Sequence, residues 1–179
     1  ASANLYSSIP PLVNKTTDSL VMLVMSVDHE LFKKAYSDYS DLDADGVLDT
    51  TYNDTFGYLG YFDSEWCYRY DTEKSNYQPT EKATGDNRHF CSASSALWSG
   101  NFLNWATMSR IDILRKVLFG GKRYKDTSSE TILERAYLPR DIHSFVKVYN
   151  GTVSAPVNRL TPYTTDTLSL CNLAVTENG

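Results

Sequence analysis

Four aspartates, Asp41, Asp43, Asp45 and Asp49, fall within nine residues of the stretch YSDLDADGVLDT, around a single glycine, Gly46. Charges this close lie inside the roughly 10 Å screening length of moderate salt, so a fold must leave them in water or neutralise them. Alternation lets Asp41, Asp43 and Asp45 face one point as the chain curls. Gly46 permits the sharp turn, the Val47 carbonyl can add an oxygen, and Asp49 returns to the same point. Ca²⁺ takes about six to eight hard oxygen ligands in flexible geometry, and this D-x-D-x-D-G-x-x-D spacing offers them. The loop is not a complete EF-hand. Tyr52 stands at the twelfth position, where a bidentate Glu belongs, so Asp49 must serve or Asp54 must help. Leu48 is expected to anchor the loop to the core. The alternative is a solvated acidic turn with no ion.

Residues 31–100 as a whole show no helical or strand period beyond short candidates such as GYLGYF at 57–62. A stretch this long without periodicity argues for an inserted module that depends on staples, not for a plain loop. Cys67 and Cys91 bracket its polar, turn-rich part. A disulfide between them would stabilise by about 3–4 kcal/mol through loop closure. Two unrelated buried thiols are the alternative. Cys171, the third of three cysteines, is then left over, which points to a partner outside this chain. The N-terminal ASANLYSSIPPLV lacks a charged and apolar signal region and reads as a mature or engineered start.

With 179 residues, 41% of them hydrophobic, the chain can bury a core as one domain or one domain with a sizeable insertion. A net charge of −5 gives no electrostatic footprint for nucleic acid. No run of about 18 apolar residues occurs, so no membrane-spanning segment is expected. SLVMLVM at 19–25 reads as a strand buried on both faces, as in a parallel or mixed sheet, with Asp28, His29 and Glu30 at its carboxyl end. A helix is expected over 102–119, with the stripe Leu103, Thr107, Ile111, Leu114 and Leu118. Ser99 or Asn101 is its N-cap and Gly120-Gly121 its stop. SSETILERAYL at 128–138 reads as a second helix, with a capping box from Thr127 and Glu130. HSFVKVYN and DTLSLCNLAV alternate as strands. The order suggests an α/β core carrying an irregular excursion.

Other chemistry is thinner. HELFK at 29–33 has Lys33 where a zinc protease needs its second His, and His89 and His143 lack ligand spacing. No nucleophile–base pairing or G-x-S-x-G is legible, so no enzyme is expected; a secreted calcium-stabilised carbohydrate-active enzyme is the alternative, a purely structural domain another. The basic residues Arg110, Arg115, Lys116, Lys122, Arg123 and Lys125 read as a solvated face. Trp66, Trp98 and Trp105 could line a glycan groove, although packing explains them more simply.

Several stretches together, VMLVMSVDHELFKKAYSDYSDLDADGVLDTTYN, GYFDSEWCYRY, HFCS, WSGNFLNWATMSRIDILRKVLFGGKR and LERAYLPRD, resemble the PilC/PilY proteins of bacterial type IV pilus tips. The likeness covers roughly residues 20–150. It implies that 1–179 is the N-terminal region of a much longer protein, von Willebrand factor A-like, an open α/β sheet with residues 31–100 inserted in it. In that family the metal-dependent adhesion motif D-x-S-x-S follows the first strand. Here the place reads Asp28-His29-Glu30-Leu31-Phe32, without either serine, although Asp28 and Glu30 still stand where α/β sheets place ligands. The resemblance further implies export through the periplasm, display at the pilus tip, and roles in pilus assembly, surface attachment and twitching. Its partners would be minor pilins and a host or abiotic surface, with Ca²⁺ as the cofactor read from the acidic loop.

Overall fold

The computed structural model describes residues 28–174 together with Met22 and Val24. The strand expected over 19–25 therefore lies outside the described residues, apart from those two. A single 3₁₀ turn, His29–Phe32, comes first, capped by the Asp28 carboxylate accepting from the Glu30 amide.

Between Cys67 and Cys91 the chain is more regular than its composition suggests. Strands β1 (Trp66–Asp71) and β2 (Asn76–Lys82) form a hairpin, and the short β3 (Trp98–Ser99) pairs on the other side of β1. Pro79 is tolerated because β2 is an edge strand, and the register skips Thr80 opposite the Cys67/Tyr68 step. That skip, with Pro79, hides the alternation. The disulfide Cys67–Cys91 is present, its Cα atoms 5.8 Å apart, buried with Ala83 and Leu97.

The single helix expected over 102–119 is two helices, α1 (Gly100–Thr107) and α2 (Arg110–Phe119). Met108 and Ser109 leave the helix in extended conformation and pair instead with 33–35. The Ala35 amide donates to the Met108 carbonyl and the Arg110 amide to the Lys33 carbonyl. Ser109 then restarts the helix through a capping box with Asp112, whose other carboxylate oxygen accepts from the Ala136 amide at 2.8 Å. Of the expected stripe, Leu103 and Ile111 are buried, whereas Leu118 is exposed. Ser99 caps α1, and Gly120, in the left-handed region, ends α2.

No helix forms over 128–138. Strands β4 (Arg123–Asp126) and β5 (Thr131–Leu133) make a hairpin there. The Glu130 amide does donate to the Thr127 hydroxyl, but the Thr127 amide also donates back to the Glu130 carbonyl, which closes a strand turn. A Ser/Thr side-chain bond of this kind serves either structure. Strands β6 (Phe145–Asn150) and β7 (Thr167–Asn172) pair as expected, with α3 (Val157–Leu160) in the loop between them.

Every strand pair among the described residues is antiparallel. These residues therefore form a small mixed α/β domain and do not themselves supply a parallel open sheet. One aromatic core joins the early and late halves: Tyr52 and Tyr58 pack with Phe102, Leu103, Trp105 and Tyr149. Residues 57–62, expected as a short strand, run irregularly, because two buried asparagines of α1 take the bonds that a neighbouring strand would. Asn101 accepts from the Tyr58 amide and donates to the Phe56 carbonyl. Asn104 accepts from the Phe62 amide and donates to the Tyr58 and Phe62 carbonyls. The approach is so close that a Cβ on Gly60 would sit 2.1 Å from the Asn104 Oδ1.

Candidate metal centre

The acidic loop closes where the Asp49 amide donates to the Ser40 carbonyl at 3.0 Å. Inside it, carboxylates bind backbone amides in successive turns. Asp41 accepts from the Asp45 and Gly46 amides, Asp45 from the Val47 amide, and Asp49 from the Leu42 amide at 2.8 Å. Ala44 and Gly46 both take positive φ, 61° and 88°, which curls the loop. The result brings one oxygen each of Asp41, Asp43 and Asp49 within 4.8 Å of one another. Two oxygens on one Ca²⁺ at about 2.3–2.6 Å stand at most about 5 Å apart, so this trio matches the span of a single ion. Asn53 braces it, its amide donating to Asp43 and to Asp49 at 3.1 Å each.

Asp45 is not in the trio, and its carboxylate is turned to the Val47 amide. Leu48 does not anchor the loop: it is 57% exposed, as is Val47 at 66%. Leu42, packed against the core, and buried Tyr52 do the anchoring. Asp54 does not assist either, since it accepts from Asn87 at 3.0 Å and lies beside His89. From Tyr52 and Asn53 the loop is wired inward. Asn101 donates to the Tyr52 hydroxyl, and the Asn53 main-chain N–H donates to the Tyr58 hydroxyl, both at 3.0 Å.

Sequence reasoning missed the base of the loop. Asp38, at φ 64°, accepts from the Trp105 indole at 3.1 Å and from the Lys147 ammonium at 2.6 Å. Lys147 is fully buried, 4.4 Å from the Trp105 ring centre, and also donates to the Tyr36 carbonyl. Burial lowers the Lys147 pKa to about 8, while Asp38 pulls it back upward. The only signal in the sequence is a lysine flanked by valines in an alternating strand, which reads by default as a solvent-facing charge.

Beside the loop lies an open cleft of about 540 Å³, lined among others by Asp49, Asn53, Asp54, Asp86, Asn87 and Thr152. Asp28 and Glu30 are engaged elsewhere: Asp28 with His29, and Glu30 with Lys33 and Arg110. Trp98 and Trp105 are buried in the core. The buried ring of His89 meets the Asp54 main-chain carbonyl at 2.6 Å. Lys122 and Lys125 pair with Glu134 and Glu130 at the surface.

A family model described as "PilY1 homolog, small alpha/beta domain" matches residues 49–179. Asp41, Asp43, Asp45 and Val47 thus precede the matched region, and Asp49 opens it. Two curated relatives, both named Type IV pilus biogenesis factor PilY1 homolog, come from Xylella fastidiosa (strain Temecula1 / ATCC 700964). One is 50% identical over 129 residues, which cover 72% of this chain and 8% of the relative. The other is 39% identical over 97 residues, covering 52% of this chain and 8% of the relative. The chain thus matches only a small part of the length of either relative. No solved structure matches significantly.

Proposed function

We propose, from the premise that this chain belongs to the PilY1 homolog family and carries its small alpha/beta domain, that it is a calcium-clamped scaffold within an exported type IV pilus biogenesis factor. The observation that carries the reading is the meeting of Asp41, Asp43 and Asp49 oxygens within 4.8 Å, braced by Asn53. Asp41 and Asp43 lie on the outgoing arm of the loop and Asp49 on the returning arm, so one ion on the three clamps both arms. Asp45 and the Val47 carbonyl complete the shell by a local turn of the loop, or water does so. When bound, Ca²⁺ would supply the positive charge that offsets the crowding of carboxylates. The role is structural and adhesive, not catalytic. It is exerted at the pilus tip, against minor pilins and an external surface, in support of pilus assembly and twitching. In this reading residues 1–179 belong to a von Willebrand factor A-like region, whose parallel open sheet the described residues 28–174 do not themselves supply.

An ion that binds only the folded state stabilises it by about 2.7 kcal/mol at a hundredfold excess over Kd. Calcium should therefore raise the Tm of the purified protein, chelation should lower it, and Asp43→Ala should abolish the response. In cells, Asp43→Ala in the parent should reduce attachment and twitching, whereas Asp28→Ala should leave them near wild type. A Tm indifferent to calcium refutes the clamp. A greater loss from Asp28→Ala than from Asp43→Ala refutes the scaffold role.

A further inference from the structure

Strand β6 buries a charge. Lys147 shares its face with Phe145 and Tyr149, and a one-residue slip in register would return it to water but expose both aromatics. Here Lys147 and Tyr149 point into the core, while Val146 and Val148 each remain 51% exposed. The register puts Cys171 of β7 directly opposite Val146, and Ser169 opposite Val148. Cys171 is exposed and unpaired. The outer face of this two-stranded ribbon thus presents two valines and a thiol side by side. Neither β6 nor β7 pairs with any other strand among the described residues. An antiparallel ribbon with one face in water normally keeps that face polar.

The other two cysteines form a buried disulfide, as chains maturing in an oxidising compartment do. The matched relatives extend far beyond this domain, since 129 aligned residues make up 8% of one of them. A parent of that length holds ample chain to cover the face. We propose that the Val146–Val148–Cys171 face is a docking surface for another part of the same parent chain, and that a disulfide from Cys171 to a cysteine outside residues 1–179 ties it down. The occupant is an apolar, cysteine-bearing segment that lies flat on the ribbon. Formation of the bond removes two protons and two electrons from the two thiols and passes them to a disulfide oxidant of the exported compartment, which becomes a dithiol. The inference rests on the longer exported parent of the preceding section but not on its calcium site. A calcium-independent Tm would leave this face and its test untouched.

The test uses the full-length parent, purified from the periplasm or from pili without reductant and blocked with an alkylating reagent. A non-reduced digest should contain the Cys171 peptide joined to a peptide from outside residues 1–179. Val148→Glu, which places a charge on the outer face without touching the core, should raise the alkylated fraction of Cys171 at least tenfold. Cys171→Ser should free the partner cysteine and should leave Cys67–Cys91 intact. Complete alkylation of Cys171 in the unmodified parent overturns the proposal. So does a Cys171–Cys171 link between two copies, which would assign the face to self-association.

Discussion

Asn104 offers the sharpest test of how this fold is held together. Its side chain satisfies three main-chain groups of an irregular segment 42 to 46 residues away: the Tyr58 carbonyl at 2.8 Å, the Phe62 carbonyl at 2.9 Å and the Phe62 amide at 3.0 Å. Asn104 is 1% exposed, so water does not replace it without a local opening. Leaving a buried polar group unsatisfied costs about 1–3 kcal/mol. Three such groups, one of them partly relieved by relaxation, put Asn104→Ala at about 3–6 kcal/mol, a large share of the 5–15 kcal/mol typical of a domain. Asn104→Asp keeps the shape and the acceptor but turns both carbonyls toward a carboxylate, and it should cost at least as much. Gly60→Ala should be comparably severe, because its Cβ would collide with the same amide at 2.1 Å. The measurement is urea unfolding followed by tryptophan fluorescence, with Trp105 the next residue on α1. A loss under about 1 kcal/mol for both Asn104 variants would refute the claim that this amide stands in for a strand partner.

Two other perturbations follow from the same packing. Lys147 titrates near 8 in the fold against an ordinary 10.5, so between those values the unfolded chain holds more protons and stability should rise with pH, by up to about 3 kcal/mol. Above pH 10 the trend should reverse, since burial raises Tyr36 and Tyr77 to about 12 and Tyr58 higher still, and the folded chain then binds more protons than the unfolded one. Urea midpoints from pH 7 to 11 should show that rise and fall. Lys147→Met should erase the rising limb; a wild-type profile that falls steadily from pH 8 contradicts the assignment. Separately, Cys67→Ser with Cys91→Ser should lower stability by about 3–4 kcal/mol, from the closure of 24 residues. A calorimetric scan showing no change in Tm would mean that the β1–β2 hairpin closes the loop unaided.

What could be read from the sequence was whatever a local pattern encodes. The acidic loop, the pairing of Cys67 with Cys91, the Ser99 cap and the strands at 145–150 and 167–172 all announce themselves through spacing or alternation. In the failures something outside the local pattern decided: a distant partner for the split helix and for Lys147, a competing local arrangement for the others. Met108 and Ser109 lie between Thr107 and Ile111 of an unbroken helical stripe, but residues 33–35 capture their backbone and split the helix. Thr127 and Glu130 spell a helix start, but their bonds close a hairpin. Leu48 looks like an anchor, yet Leu42 and Tyr52 reach the core first. Lys147 could not be recognised as buried, because its partners Asp38 and Trp105 lie 109 and 42 residues away in sequence.

Those distant partners converge on α1, and this says what a bound ion can and cannot hold. The returning arm of the acidic loop reaches α1 through Tyr52 and Asn101, while its base reaches α1 through Asp38 and Trp105. Both attachments are made by groups outside the carboxylate trio, so they persist whether or not the trio is filled. The ion would then act on residues 41–49 alone, closing the tip of a loop whose stem is already fixed. Lys147 extends that stem to β6, the strand whose other face shows Val146 and Val148. The charge that looks misplaced in β6 thus fastens the loop's base, and it leaves the two valines outside for another surface to cover.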